Sequence, residues 1–217
     1  MPTVFNNGNS ALEVISYGPT SNFGNFVAPI VFSTLARTQM LSAAQAALGT
    51  TTAFHAAVAD NGASQTVTTA LTQPVYPRNL VITPSGTAGN VTAVNVVVNG
   101  TDFQGQAISE SFLLTAGALT AVVGNKAFKS ITSIVQPAVG AAVSISYGTG
   151  SKLGFAGYLY GNTILFAFLG GVKEGTPPTV TTSLTSLSNN TFTLNSALNG
   201  TPVVVSYELA LDQSLIG

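Results

Sequence analysis

The stretch VTAVNVVVNGTDFQGQAISESFLLT, residues 91–115, decides the fold class. Asp102 and Gly105 stand at the first and fourth positions of a type I turn, and glycine there suits the left-handed residue of a G1 bulge. Setting Asp102 opposite Gln106 places Val96 opposite Phe112, Val94 opposite Leu114 and Asn99 opposite Ser109. One face of the hairpin is then apolar and the other mostly polar, as an antiparallel pair with one side on a core requires. Glu110 is the exception. The register puts it on the apolar face opposite Val98, so it must lie at the rim or meet a partner across a subunit contact.

Outward from this hairpin the same pattern recurs. From residue 50 onward Thr, Val, Ser and Ile dominate, and Gly, Pro and Asn interrupt them about every ten residues, the mark of a sandwich or barrel. Val143, Ile145 and Tyr147 alternate with serines; Phe192 and Leu194 alternate with Thr191, Thr193 and Asn195; Val203, Val205, Tyr207, Leu209 and Leu211 share one face. TILFAFLGG, 163–171, is apolar on both faces and reads as a fully buried strand or a short buried helix. In NKAFKSITSI, 125–134, the spacing of Phe128, Ile131 and Ile134 fits a helix while the Ser and Thr content fits a strand. The expected class is all-β: an antiparallel β-sandwich, Ig-like or jelly-roll-like, with an extended N-terminal arm and little helix.

Three segments follow from composition. Residues 1–49 read as the arm, with a short helix at most in TQMLSAAQAAL, 38–48, where Met40, Leu41, Ala44 and Leu48 share a helical face ahead of Gly49. Residues 50–172 form the main sandwich, and EGTPPTV marks a boundary after which 173–217 complete that sandwich or a neighbouring subunit's sheet. The arm carries Phe5, Tyr17, Phe23, Phe26 and Phe32 without a sustained period, so these aromatics must pack on the chain's own body or on a neighbour. They are the candidate interface residues.

The composition narrows function by chemistry. The chain has 217 residues, 46% hydrophobic and only 6% charged, against about 25% charged in an ordinary domain. Ser, Thr, Asn and Gly must therefore hydrate the surface, and with a net charge of −1 like copies approach at little electrostatic cost. Arg37, Arg78, Lys126, Lys129, Lys152 and Lys173 are scattered singly, which argues against nucleic acid as a partner. No apolar run is long enough to span a membrane, and MPTVFNNGNS lacks the basic and apolar regions of a secretion signal, so synthesis in a cytosol is expected. The absence of cysteine agrees with that compartment.

Reaction chemistry finds few tools. The sole imidazole, His55, has Asp60 five residues on, but no G-x-S-x-G elbow presents a serine to it, and a structural histidine is the expected reading. Glu13, Asp60, Asp102, Glu110, Glu174, Glu208 and Asp212 are the entire carboxylate supply, and only Glu110 lies where burial could raise a pKa. YGTGSKLGF, 147–155, lacks the spacing of a phosphate loop, and its glycines are expected to serve a turn. One histidine and no dense acidic cluster leave no set of metal ligands. No catalytic, cofactor-binding or metal residue is assigned, and the chain is expected not to be an enzyme.

Three stretches carry a resemblance: VADNGASQTVTTALTQPVYPRNLVITPSG at 58–86, VNGTDFQGQAISESFLLTAG at 98–117 and NKAFKSITSI at 125–134. Together they resemble virion structural proteins of tailed bacteriophages, of the capsid decoration (cement) type, over roughly residues 55–160. The shared features are turn punctuation, a Pro-Arg-Asn strand entry and a Phe-Lys-Ser run, none of them catalytic. The resemblance implies a β-sandwich, as a homotrimer, on the capsid surface of the virion where major capsid protein subunits meet. The alternatives are a tail, baseplate or fibre subunit, and a carbohydrate-binding β-sandwich. The missing Trp counts against the last, and the missing repeats and coiled coil against a fibre.

Overall fold

The computed structural model describes residues 36–209, together with the backbone of Thr3–Val4 and Ile15–Ser16, which pair antiparallel. The aromatics Phe5, Tyr17, Phe23, Phe26 and Phe32 lie outside the described residues, as does Leu211.

The architecture is an antiparallel sandwich organised by one long strand, Val143–Gly154. Along one edge it pairs with Arg78–Gly86; along the other it pairs first with His55–Ala59 and then, at Leu153 and Gly154, with Thr191–Thr193. Val122–Val123 and Thr179–Thr181 close the two sides of this sheet. A second sheet runs Gln65–Val67, Ser130–Gln136, Asn95–Thr101, Ala107–Leu113, and a third runs Val172–Lys173, Ile164–Leu169, Val203–Glu208, Ala36–Leu41.

Two cores result, and Val143–Gly154 contributes to both. Its first half sends Val143, Ile145 and Tyr147 into a cluster with Leu80, Ile82, Val96, Val98, Phe112 and Ile134 from the facing strands. Its far end brings Leu153, followed by Phe155, into a cluster with Leu41, Phe192, Val203, Val205 and Tyr207. Phe155 packs at 4.5 Å from the Tyr207 ring and 4.9 Å from the Phe192 ring, centroid to centroid. The segment after residue 173 thus supplies sheet partners and core residues to the same chain.

The hairpin register is as expected. Val96 faces Phe112, Asn99 faces Ser109, Val98 faces Glu110, and Leu114 N donates to Val94 O at 3.0 Å. Gly105 N donates to Asp102 O at 3.1 Å, and Gly105 has φ +84, the left-handed geometry that glycine adopts without a Cβ clash. Asp102 Oδ1 also accepts from Gln104 N and Gln106 N at 2.9 and 3.0 Å, so the turn is closed by its own side chain.

Three expectations need correction, and one alternative left open is decided. The helix expected within 38–48 is the strand Ala36–Leu41, because Val203–Glu208 offers it a full ladder of partners. Only one helical turn follows, where Ala46 N donates to Ser42 O, Ser42 N to Gln45 Oε1, and Gln45 N to Ser42 Oγ, a capping box with nothing to extend. In NKAFKSITSI the alternative left open falls to strand from Ser130 onward: a β-bulge between Ile131 and Ser133 inserts one residue, so Ile131 and Ile134 face the same core despite their spacing of three. TILFAFLGG contains a strand, Ile164–Leu169, but one face is only partly covered, with Leu165 53% exposed. Finally, the glycines of YGTGSKLGF lie within Val143–Gly154 rather than in a turn. A Cβ on Gly148 would collide with the Thr50 carbonyl, and one on Gly150 with the Asn79 amide, so these glycines admit close neighbours.

Candidate interaction surface

The sheet Val172–Lys173, Ile164–Leu169, Val203–Glu208, Ala36–Leu41 covers the second core with one face and leaves the other outward. Strand alternation assigns the sides. Leu41, Val203, Val205, Tyr207, Ala167 and Leu169 point inward. The opposite parity aligns Met40 beside Val204 and Val204 beside Phe168, and likewise Thr38 beside Ser206 and Ser206 beside Phe166.

The outward face carries an apolar patch where a solvated sheet ordinarily alternates to polar, bounded by Lys173 in register with Phe168 and by Glu208 opposite Ala36. Met40 is 74% and Phe166 37% exposed, and the Phe166 and Phe168 rings meet edge to face at 5.7 Å. A bulge between Ile164 and Phe166 leaves Leu165 as an extra residue beside them. Gly170 and Gly171, with φ +59 and +80, form the tight turn that returns the chain to Val172 and Lys173. Among the described residues Ala36–Leu41 is an outer strand of this sheet, so Met40 lies at its margin. Sequence reasoning set Met40 on a helical face and did not single out Val204, Phe166 or Phe168. Their signal was the double-sided apolarity of ILFAFL, which equally describes a strand buried on one side and sticky on the other.

The ionisable groups serve the fold. Glu110 lies at the rim of the first core and finds its partners inside the chain, so no subunit contact is needed to explain it. Its Oε1 accepts from Asn125 N at 2.6 Å, and Lys126 N lies 3.4 Å from both oxygens. Burial pushes its carboxyl above the usual value, opposed by these two N–H groups and by Lys126 and Lys152. Asp60 accepts from Val139 N and Gly62 N, and Glu174 from Ser196 N. His55 Nδ1 lies 2.7 Å from Ala56 O, and its ring stands edge-on to Tyr147. The structure therefore places Asp60 on backbone amides instead of joining it to His55. Arg78 is 6% exposed and donates to Ala47 O at 3.0 Å; burial lowers its pKa.

Asn190 and Gln39 follow the same rule. Asn190, 0% exposed, donates to Ser183 O and Ser186 O and accepts from Leu159 N and Ser183 N. Gln39 bridges the two sheets of the second core: it donates to Gly154 O and accepts from Ala156 N and the Tyr207 hydroxyl. Among the described residues no group of three or more His, Asp or Glu side chains is placed to hold a metal ion. No helix of the described residues is long and apolar enough to cross a membrane.

No family model and no curated protein matches the chain. The solved structure of infectious bursal disease virus, Gx strain, aligns with 100% of this chain at 15% sequence identity and a TM-score of 0.22, and this chain spans 52% of the length of the viral one. A score that low carries no argument about fold or role.

Proposed function

We propose that the chain is a structural subunit of a bacteriophage virion, of the capsid decoration type, that acts by adhesion to major capsid protein and to its own copies. The observation that carries this reading is the combination of a neutral exterior and an outward apolar sheet face. Only 6% of residues are charged, and Asp60, Asp102, Glu110 and Glu174 are each committed to backbone N–H groups. Among the described residues this face offers a partner Met40, Leu165 and Phe166, with Phe168 half-buried beside them. The sequence resemblance supplies the virion and the trimer; the low charge supports close packing of like copies on a lattice. On this reading the chain has no catalytic role, no cofactor, and neither nucleic acid nor membrane as a partner.

Purified protein mixed with undecorated phage capsids and sedimented tests the assignment. Binding that persists as salt is raised is expected, because an uncharged contact has little to screen. Failure to co-sediment at any salt concentration would move the chain to a tail, baseplate or fibre. Sedimentation velocity of the free protein reads the trimer directly.

A further inference from the structure

Lys152, Asn125 and Glu110 come together from three separate segments at the rim of the first core. Lys152 belongs to the long strand Val143–Gly154, Asn125 follows Val122–Val123, and Glu110 lies on Ala107–Leu113. Lys152 Nζ donates to Asn125 Oδ1 at 2.5 Å, and the Glu110 carboxylate accepts from Asn125 N at 2.6 Å. An amine, a primary carboxamide and a carboxylate thus meet in one place. Glu110 and Lys152 are half-buried there, and Asn125 is exposed.

The backbones behind these side chains are fixed from inside. Asn79 is wholly buried; it accepts from Lys152 N at 2.9 Å and donates to Gly124 O at 2.9 Å, so one amide ties Lys152 to the residue before Asn125. It does so where the ladder to Arg78–Gly86 is interrupted, between Thr149 and Leu153. A Cβ on Gly124 would stand 2.6 Å from Glu110 Oε2, so glycine there admits the carboxylate. The neighbouring amine is held elsewhere: Lys126 Nζ donates to Ser109 O at 2.7 Å.

We propose that Lys152 and Asn125 join in an intramolecular isopeptide bond as the folded chain ages, with Glu110 carrying the proton. The Glu110 carboxylate takes a proton from the Lys152 ammonium, and the freed amine attacks Asn125 Cγ. The bond from Nζ to Cγ forms and the bond from Cγ to Nδ2 breaks. Of the two protons that Nζ gives up, Glu110 passes one to Nδ2, which leaves as ammonia, and the other goes to solvent. Neither an oxidant nor a cofactor enters. Burial raises the proton affinity of the Glu110 carboxyl, which suits it to this transfer. The fold supplies by orientation what the same step in solution would need in concentration. Water reaches the site, and a lysine in contact with water is protonated most of the time, so the step is slow and freshly folded chain keeps both side chains free. Once formed, the bond links positions 27 apart in sequence and restricts the unfolded chain. Each chain reacts once, without turnover, and the chemistry is the same whether or not the chain belongs to a virion.

Full-length protein kept folded in mildly alkaline buffer is followed for days by intact-mass spectrometry. The wild type should lose about 17 Da, the mass of ammonia, while Lys152→Arg and Asn125→Ala keep their mass. Glu110→Gln should lose it at least about tenfold more slowly. Trypsin should then release residues 79–126 joined to 130–173, because Lys152 no longer presents a free amine for cleavage. A wild-type mass that stays unchanged would overturn the proposal, and this reading needs no variant to fold. A loss that persists in Lys152→Arg would overturn it too, since it marks a succinimide at an asparagine. Equal rates in wild type and Glu110→Gln would remove Glu110 from the step. None of these readouts depends on capsid binding, so failure here and failure of the virion assignment are separable.

Discussion

The side chain of Gln73 pairs with the backbone of Ile131 as a neighbouring strand would, its Oε1 accepting from Ile131 N at 2.6 Å and its Nε2 donating to Ile131 O at 3.1 Å. The pairing falls where the bulge between Ile131 and Ser133 interrupts the ladder to Asn95–Thr101. A single amide thus satisfies both backbone groups of a buried residue. Gln73→Ala removes both partners and should destabilise the chain by about 1–3 kcal/mol. Gln73→Glu keeps the acceptor but sets a carboxylate oxygen against Ile131 O, so it should cost at least as much as Gln73→Ala. Denaturant titration of the three proteins gives the order.

Asn190 is a stricter case, since its amide makes two donor and two acceptor contacts inside the second core's margin. Asn190→Asp is nearly isosteric, yet it turns a donor that faces two carbonyl oxygens into an acceptor. The expected loss is about 3 kcal/mol or more, larger than for a surface Asn→Asp change. Thermal unfolding of N190D beside N61D, whose side chain lies at an exposed turn, makes the comparison.

Glu110 predicts a pH dependence with a definite sign. Burial raises its carboxyl above the ordinary 4.5, so the folded chain holds this proton to higher pH than the unfolded chain does. Stability from the group is fully present below that ordinary value and is lost as pH rises through the raised one. Glu110→Gln cannot titrate but can still accept from Asn125 N and Lys126 N. The variant should match the wild type in acid and exceed it at neutral pH, with the gap in melting temperature widening between the two. A gap that narrows toward neutrality would contradict the assignment.

Adjacent residues of the hairpin should behave oppositely. Phe112 is 1% exposed and packs in the first core, whereas Leu113 is 57% exposed on the other face. Phe112→Ala should cost about 3–5 kcal/mol through lost burial and the cavity left behind. Leu113→Ala should stay within about 0.5 kcal/mol. Equal losses in a chemical denaturation series would show that the register is slipped by one.

Legibility in the sequence followed the range of the interaction. Asp102 and Gly105 announced their turn because its hydrogen bonds lie within five residues, and the pairing of Val96 with Phe112 followed by counting outward. Ser42 and Gln45 carry a helix-start signal that is locally correct and closes one turn, yet Ala36–Leu41 is strand because a segment more than 160 residues later pairs with it. Ile131 and Ile134 were ambiguous for a related reason. A bulge changes the period of the pattern, and nothing local distinguishes that from a helical repeat.

The arrangement of polar and apolar residues along each strand, the turn chemistry and the scarcity of charge belong to the linear chain, since each is a property of neighbours in sequence. Which apolar faces are covered does not. ILFAFL offers two such faces, and only the meeting of Ile164–Leu169 with Val203–Glu208 and Ala36–Leu41 turns Ala167 and Leu169 into a core while leaving Phe166 and Phe168 outward. Burial is a relation between distant segments, and the free energy that selects one face over the other arises only when those segments are brought together.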